Sequence, residues 1–160
     1  MITTLRIMII AVLLMASSYG TTERGIVEVG ERQSLNEIVS SRCRHYHLDE
    51  KVIRRMISVE SDWRIDAFSS EGACGLMQIL PATACDIMDD STITSERLRT
   101  DERLNIEAGL KYLAFLRRTF SGDLKLALLA YNRGPATVQK LLAQGIDPSN
   151  GYERKVMKNL

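Results

Sequence analysis

The sequence predicts a mostly α-helical protein with one folded domain, and three observations carry that prediction. Apolar residues recur at three- and four-residue intervals through most of residues 34–160, no useful run of alternating apolar and polar residues occurs, and no segment repeats at a fixed period. A chain of 160 residues, 45% hydrophobic with 10 Gly and 3 Pro, has room for one ordinary core. Its 21 basic and 20 acidic side chains leave a net charge of +1, without the broad basic surface that holds a nucleic-acid backbone. No nucleic-acid partner is expected.

The first twenty residues stand apart from the fold. Arg6 precedes the apolar run Ile7 to Ala16, and the small residues Ser17, Ser18 and Gly20 follow, the order of a secretory signal peptide. The run is half the roughly 20 residues that a membrane-spanning helix needs, which favours a cleaved signal over a retained anchor. The expected organisation is a signal peptide over 1–20, a polar leader over 21–33 and the domain over 34–160. The first of three cysteines, Cys43, lies far past any cleavage site. An exported chain can keep a disulfide, yet spacing does not choose among the three pairings of Cys43, Cys74 and Cys85. With no Cys-x-x-Cys pair and with His45 and His47 only two apart, no metal site is expected.

Each helix has its own signal. Ser34 and Glu37 form a capping-box pair ahead of Leu35, Ile38, Val39, Cys43 and Tyr46. Asp49 caps a second helix whose apolar face, Val52, Ile53, Met56 and Ile57, runs on to position 60. Asp66 to Gly75 reads as a loop, Leu76 to Leu80 as a short apolar stretch, and Pro81 as the first position of a helix reaching Met88. After a polar break from Asp89 to Thr94, a long helix begins near Thr100 or Asp101, carries Leu104, Ala108, Leu113, Leu116 and Phe120, and stops at Ser121-Gly122. Asp123 caps the next, with Leu124, Ala127, Leu128 and Tyr131 on one face. Asn132-Arg133-Gly134 then turns the chain into a helix begun by Pro135. Gly145 to Asn150 is a loop, and Tyr152 to Leu160 a closing helix.

Position 60, on the face that its helix buries, is a glutamate. Desolvation disfavours the charged form of a carboxyl, so Glu60 could hold its proton near neutrality and act as a general acid. A helix-end glutamate paired with Arg64 or facing water fits the same pattern, and periodicity leaves both readings open.

The motifs around it bear on the choice. The chain reads Glu60-Ser61, then Gly72-Ala73-Cys74-Gly75-Leu76-Met77-Gln78, then Asn105-Ile106, then Ala130-Tyr131-Asn132. From about Leu48 to Val156 this resembles the soluble lytic transglycosylases, in motif order and near-family spacing. The resemblance implies a lysozyme-like domain of several short helices around a glycan-binding cleft, and the signal peptide implies a periplasmic enzyme. It implies cleavage of the β-1,4 bond between N-acetylmuramic acid and N-acetylglucosamine in peptidoglycan, giving 1,6-anhydromuramic ends without cofactor. Glu60 matches the family's single catalytic glutamate, acting as acid and then as base.

The resemblance also assigns substrate-binding roles. Ser69 falls near the muramoyl acetamido group, while Gln78 and Asn105 reach the cleft and bond glycan. Tyr131 matches the tyrosine whose hydroxyl points at the catalytic carboxyl, and Tyr152 matches one whose aromatic face lines a sugar subsite, with core packing as an equal reading. Ser61 is assigned a structural role at the start of the active-site loop. Two positions depart from the family: Leu80 replaces a common methionine, and Pro148 to Gly151 replace an acidic residue before the last tyrosine.

The domain is expected to act as a monomer on peptidoglycan glycan strands, and its small size suggests local wall remodelling for a secretion, conjugation or pilus apparatus, with a bacteriophage or general wall-turnover role fitting equally well. Two other functions are weighed. A goose-type lysozyme would use Asp62, Asp66 or Glu71 to position water, and a non-catalytic docking factor would hold glycan without cutting it.

Overall fold

The computed structural model describes residues 33–158. The expected signal peptide and nearly all of the polar leader lie outside the described residues, as do Asn159 and Leu160. Among the described residues no helix is long and apolar enough to cross a membrane.

Eight helices make up the described chain: α1 Leu35–Tyr46, α2 Glu50–Ser61, α3 Pro81–Met88, α4 Ser95–Thr100, α5 Glu102–Thr119, α6 Leu124–Arg133, α7 Pro135–Ala143 and α8 Tyr152–Met157. The mostly α expectation holds. The anticipated caps form: Ser34 and Glu37 make a reciprocal capping box, while the Asp49 and Asp123 side chains accept N–H bonds from the first turns of α2 and α6. Helix α4 replaces part of the expected irregular approach to the long helix. Thr94 caps it by accepting from the Arg97 N–H, and it buries only Leu98, too little to show as a periodic face. Asp101 ends α4 and caps α5 by accepting from the Leu104 N–H. The closing helix is shorter than expected, because Lys158 is already extended.

Helix α5 is the hub, packed against α1, α3, α4 and α6. It buries Ile106, Ala108, Leu110, Leu113, Ala114 and Leu116, a wrap of apolar residues suited to a helix with neighbours on several sides. Each fully buried Leu or Ile contributes roughly 1.5–3 kcal/mol relative to exposure. The main cluster joins α5 to α1, α2, α6 and α8. A smaller one gathers Cys74, Ile79, Ala84, Ile93, Leu98 and Ala108 between α3, α4 and α5.

Between α2 and α3 the chain makes a compact double reversal. Phe68 bridges Cys74, and Cys74 bridges Ile79 in turn, with Cys74 N to Ile79 O at 3.0 Å and Ile79 N to Cys74 O at 3.2 Å. The segment lies so close to α5 that a Cβ on Gly109 would stand 2.6 Å from Met77 Cβ. Close helix–loop contact at that point requires glycine.

Candidate active site

Glu60 stands one residue before the end of α2, whose inner face buries Ile53, Met56, Ile57 and Ser61. Burial drives its carboxyl from 4.5 up to about 7, while a hydrogen bond donated by the Tyr152 hydroxyl to Oε1 acts in the opposite direction. Of the two readings left open by periodicity, the desolvated one is realised. Arg64 turns away, its Nε donating to the Ser61 carbonyl at 3.2 Å. Asp62, Asp66 and Glu71 are exposed, and none of them figures among the influences on Glu60's proton affinity.

Helix α2 ends abruptly. Asp62 and Trp63 both adopt the left-handed region, at φ 52° and 64°, which for a bulky residue such as Trp63 is strained. The reversal turns the chain immediately after Glu60 and sends it into the 67–79 segment.

That segment is held by three side chains from three helices, each on a backbone group of consecutive residues. From α2, the Ser61 hydroxyl donates to the Leu76 carbonyl at 3.0 Å. From α5, Asn105 Oδ1 accepts the Met77 N–H at 2.8 Å, and its Nδ2 donates to the Cys74 and Leu98 carbonyls, both at 2.9 Å. From α6, the Tyr131 hydroxyl donates to the Met77 carbonyl at 2.9 Å. The next residue, Gln78, sits at φ 45° with its amide donating to the Gly75 carbonyl at 2.9 Å. It lines a groove of about 430 Å³ with Leu80, Thr83, Tyr112, Tyr131 and Pro135. The Tyr131 ring packs 5.3 Å from Tyr112, and its hydroxyl is held well above its ordinary pKa by burial first and then by the Glu60 charge.

The expected site residues thus divide. Gln78 and Tyr131 share the groove, and the Glu60 charge is among the influences that raise the Tyr131 hydroxyl's pKa. The bond to the carboxyl expected of Tyr131 is made instead by Tyr152, only 7% exposed and packed in the core as its alternative reading had it, whereas Tyr131 bonds a backbone carbonyl. Tyr152 therefore offers no open aromatic face to a sugar. Asn105 is 1% exposed and places both its amide hydrogens and its oxygen on backbone, so it positions the segment that carries Gln78 and does not reach glycan. The Ser69 hydroxyl accepts the Glu71 and Ala73 N–H groups at 3.2 and 3.1 Å, shaping the turn after Phe68 and remaining half-buried. Ser61 takes the structural role expected of it.

Among the described residues no group of three or more His, Cys, Asp or Glu side chains is placed to hold a metal ion. The three thiols are free: Cys43 lies in the main core, while Cys74 and Cys85 belong to the smaller cluster.

Residues 37–149 match the transglycosylase SLT domain family. The transglycosylase of Enterobacteria phage PRD1 is 33% identical over 126 residues, covering 78% of this chain and 42% of that protein. The soluble lytic murein transglycosylase of Escherichia coli strain K12 is 35% identical over 86 residues, covering 52% of this chain and 13% of the relative. The chain spans less than half the length of these relatives. Among solved structures, the 70 kDa soluble lytic transglycosylase of Escherichia coli superposes with a TM-score of 0.67 at 26% identity, over 76% of this chain and 22% of that one. The lysozyme-like architecture expected from the sequence stands with it.

Proposed function

Since the chain belongs to the transglycosylase SLT domain family, we propose that it cleaves the β-1,4 bond between N-acetylmuramic acid and N-acetylglucosamine of peptidoglycan, leaving 1,6-anhydromuramic ends. The observation that carries this reading is Glu60: a desolvated carboxyl raised to about 7, bonded by one phenol, with no second carboxylate acting on it. At neutral pH it is poised between proton donor and acceptor.

The reaction needs no more than that one group. Protonated Glu60 gives its proton to the bridging oxygen as the bond to the muramic anomeric carbon breaks, and the N-acetylglucosamine end leaves as a free alcohol. The resulting carboxylate takes the proton of the muramic 6-hydroxyl as that oxygen bonds to the anomeric carbon. Atoms balance without water, and Glu60 ends as it began, protonated. Hydrolysis by carboxylate pairs would call for a second carboxylate, acting as the base on water or as the nucleophile. Tyr152 stabilises the carboxylate stage through its hydroxyl. Gln78 offers both donor and acceptor to acetamido and hydroxyl groups in the groove, and Ser69 lies on the loop that leads to it. The biological setting belongs to the same proposal: export through the N-terminal signal, a periplasmic site of action, and local opening of the wall for a secretion, conjugation or pilus apparatus.

The test is digestion of purified peptidoglycan by the parent chain and by Glu60→Gln, with mass spectrometry of the released muropeptides. Anhydro ends made by the parent alone are expected. Ends heavier by one water would instead identify a goose-type hydrolase, and the absence of any release from the folded parent would turn the assignment to a partner-activated enzyme or a docking factor.

A further inference from the structure

Helix α8 begins without a side-chain cap, because its N-cap is Gly151 at φ 87°. Its second residue, Glu153, is nonetheless only 2% exposed. Burying a carboxylate is costly unless it is well bonded, and this one is bonded in a specific way. Its Oε1 accepts the Ser149 hydroxyl at 2.5 Å, while its Oε2 is buried without a partner. The charged groups around it are Arg154 on its own helix, 4.0 Å away and largely in water, and Lys125 on α6. Burial would raise the carboxyl's pKa, yet the Ser149 hydroxyl, its own backbone N–H and these two cations together bring it below the ordinary value, so the buried group is ionised.

Ser149 lies in the loop that sets Tyr152. Within that loop the Arg133 guanidinium donates to the Pro148 carbonyl at 2.6 Å, and the Asn150 amide donates to the Asn132 side-chain oxygen at 2.8 Å. Asn150 Oδ1 accepts the Tyr152 N–H at 3.1 Å. Asn132 and Arg133 directly follow Tyr131, so these bonds register the loop against α6, and the Glu153–Ser149 bond closes it from the α8 side.

We propose that Glu153 is a positioning residue for Glu60: through Ser149 it holds the 147–151 loop in the form that delivers the Tyr152 hydroxyl to the catalytic carboxyl. It touches no substrate and acts through Tyr152. The proposal rests on the transglycosylase reading for its consequence in catalysis, but not for its structural content. The groups facing Glu60 are Tyr152 from α8, which bonds it, and Tyr131 from α6, which senses its charge. Because the Tyr152 bond lowers Glu60's pKa, loosening that bond raises it.

Glu153→Leu separates positioning from folding, since an apolar residue of similar size removes the buried charge without leaving a hole. The readout is the NMR titration of the Glu60 carboxyl in the full chain, set beside the pH profile of anhydro-muropeptide release. In Glu153→Leu and in Ser149→Ala the Glu60 midpoint is expected to move up by about one pH unit, with the basic limb of the activity profile following. Tyr152→Phe sets the ceiling of that movement, and Tyr152→Phe with Glu153→Leu should go no further. Glu153→Gln, whose amide oxygen can still accept from Ser149, should restore most of the parent midpoint. A Glu60 midpoint unchanged in folded Glu153→Leu, or a double variant that shifts beyond Tyr152→Phe, would overturn the proposal. A shift in the titration when the parent releases no anhydro ends would sink the catalytic reading alone and leave the positioning role standing.

Discussion

The side-chain oxygen of Asn105 accepts the Met77 backbone N–H at 2.8 Å, and this bond fixes where Gln78 enters the groove. The same carboxamide donates to the Cys74 carbonyl of that segment and to the Leu98 carbonyl of α4, so one residue of the central helix ties the double reversal to a neighbouring helix.

Asn105→Ala should therefore act on stability before it acts on binding. It leaves the buried Met77 N–H without its partner and takes one bond each from the Cys74 and Leu98 carbonyls, a loss of about 2–4 kcal/mol. Urea unfolding is the measurement. A variant with parental stability and weakened glycan affinity would instead return Asn105 to the role of ligand.

Gly109→Ala sets two effects against each other. Alanine in a helix interior gains about 1 kcal/mol over glycine. The new Cβ, however, would lie 2.6 and 2.7 Å from Met77 Cβ and Cγ, and the Met77 backbone is pinned on both sides by Asn105 and Tyr131. Overpacking of a site that cannot yield costs about 1–3 kcal/mol, so a net destabilisation of about 1 kcal/mol is expected in chemical denaturation, with Gln78 displaced. A stabilised variant would mean that the segment gives way freely.

The Glu60 carboxyl links pH to stability with a sign opposite to that of an ordinary paired acid. Its folded pKa of about 7 exceeds the unfolded 4.5, so the folded state binds more protons between these values and stability falls as pH rises through them. The cost is complete above about pH 7 and amounts to roughly 3 kcal/mol. Glu60→Gln should be the more stable protein above that pH, and the two should converge near pH 4. Thermal unfolding of both chains across the range checks this; parallel curves would mean that the carboxyl titrates normally.

Local chemistry made most of the helices readable. The Ser34–Glu37 box, the caps at Asp49 and Asp123, and Pro81 and Pro135 at first helical positions act within four residues of themselves, and each formed as expected. Helix α4 escaped because six residues with one buried leucine show no period. The place of Glu60 on the apolar face of its helix was legible for a related reason, but whether its carboxyl is desolvated or meets water was not, because that depends on residues far along the chain such as Tyr152. The tyrosine roles were not, since the Tyr152 hydroxyl finds Glu60 across 92 residues and nothing local distinguishes it from Tyr131, which also lies on a buried face. The glycan role of Asn105 is what the resemblance implies, and a polar residue on the long helix does not show by itself which backbone groups will be brought to it.

The docking of α8 on α2 has a temporal consequence. A chain emerging from the ribosome completes α2 long before residue 152 has been made, so the acid of the site exists first as a carboxyl without its phenol. Among the described helices α8 comes last in chain order, and a nascent chain that has not yet reached it carries the groove residues and Glu60 but not the phenol whose bond offsets part of the burial of the carboxyl.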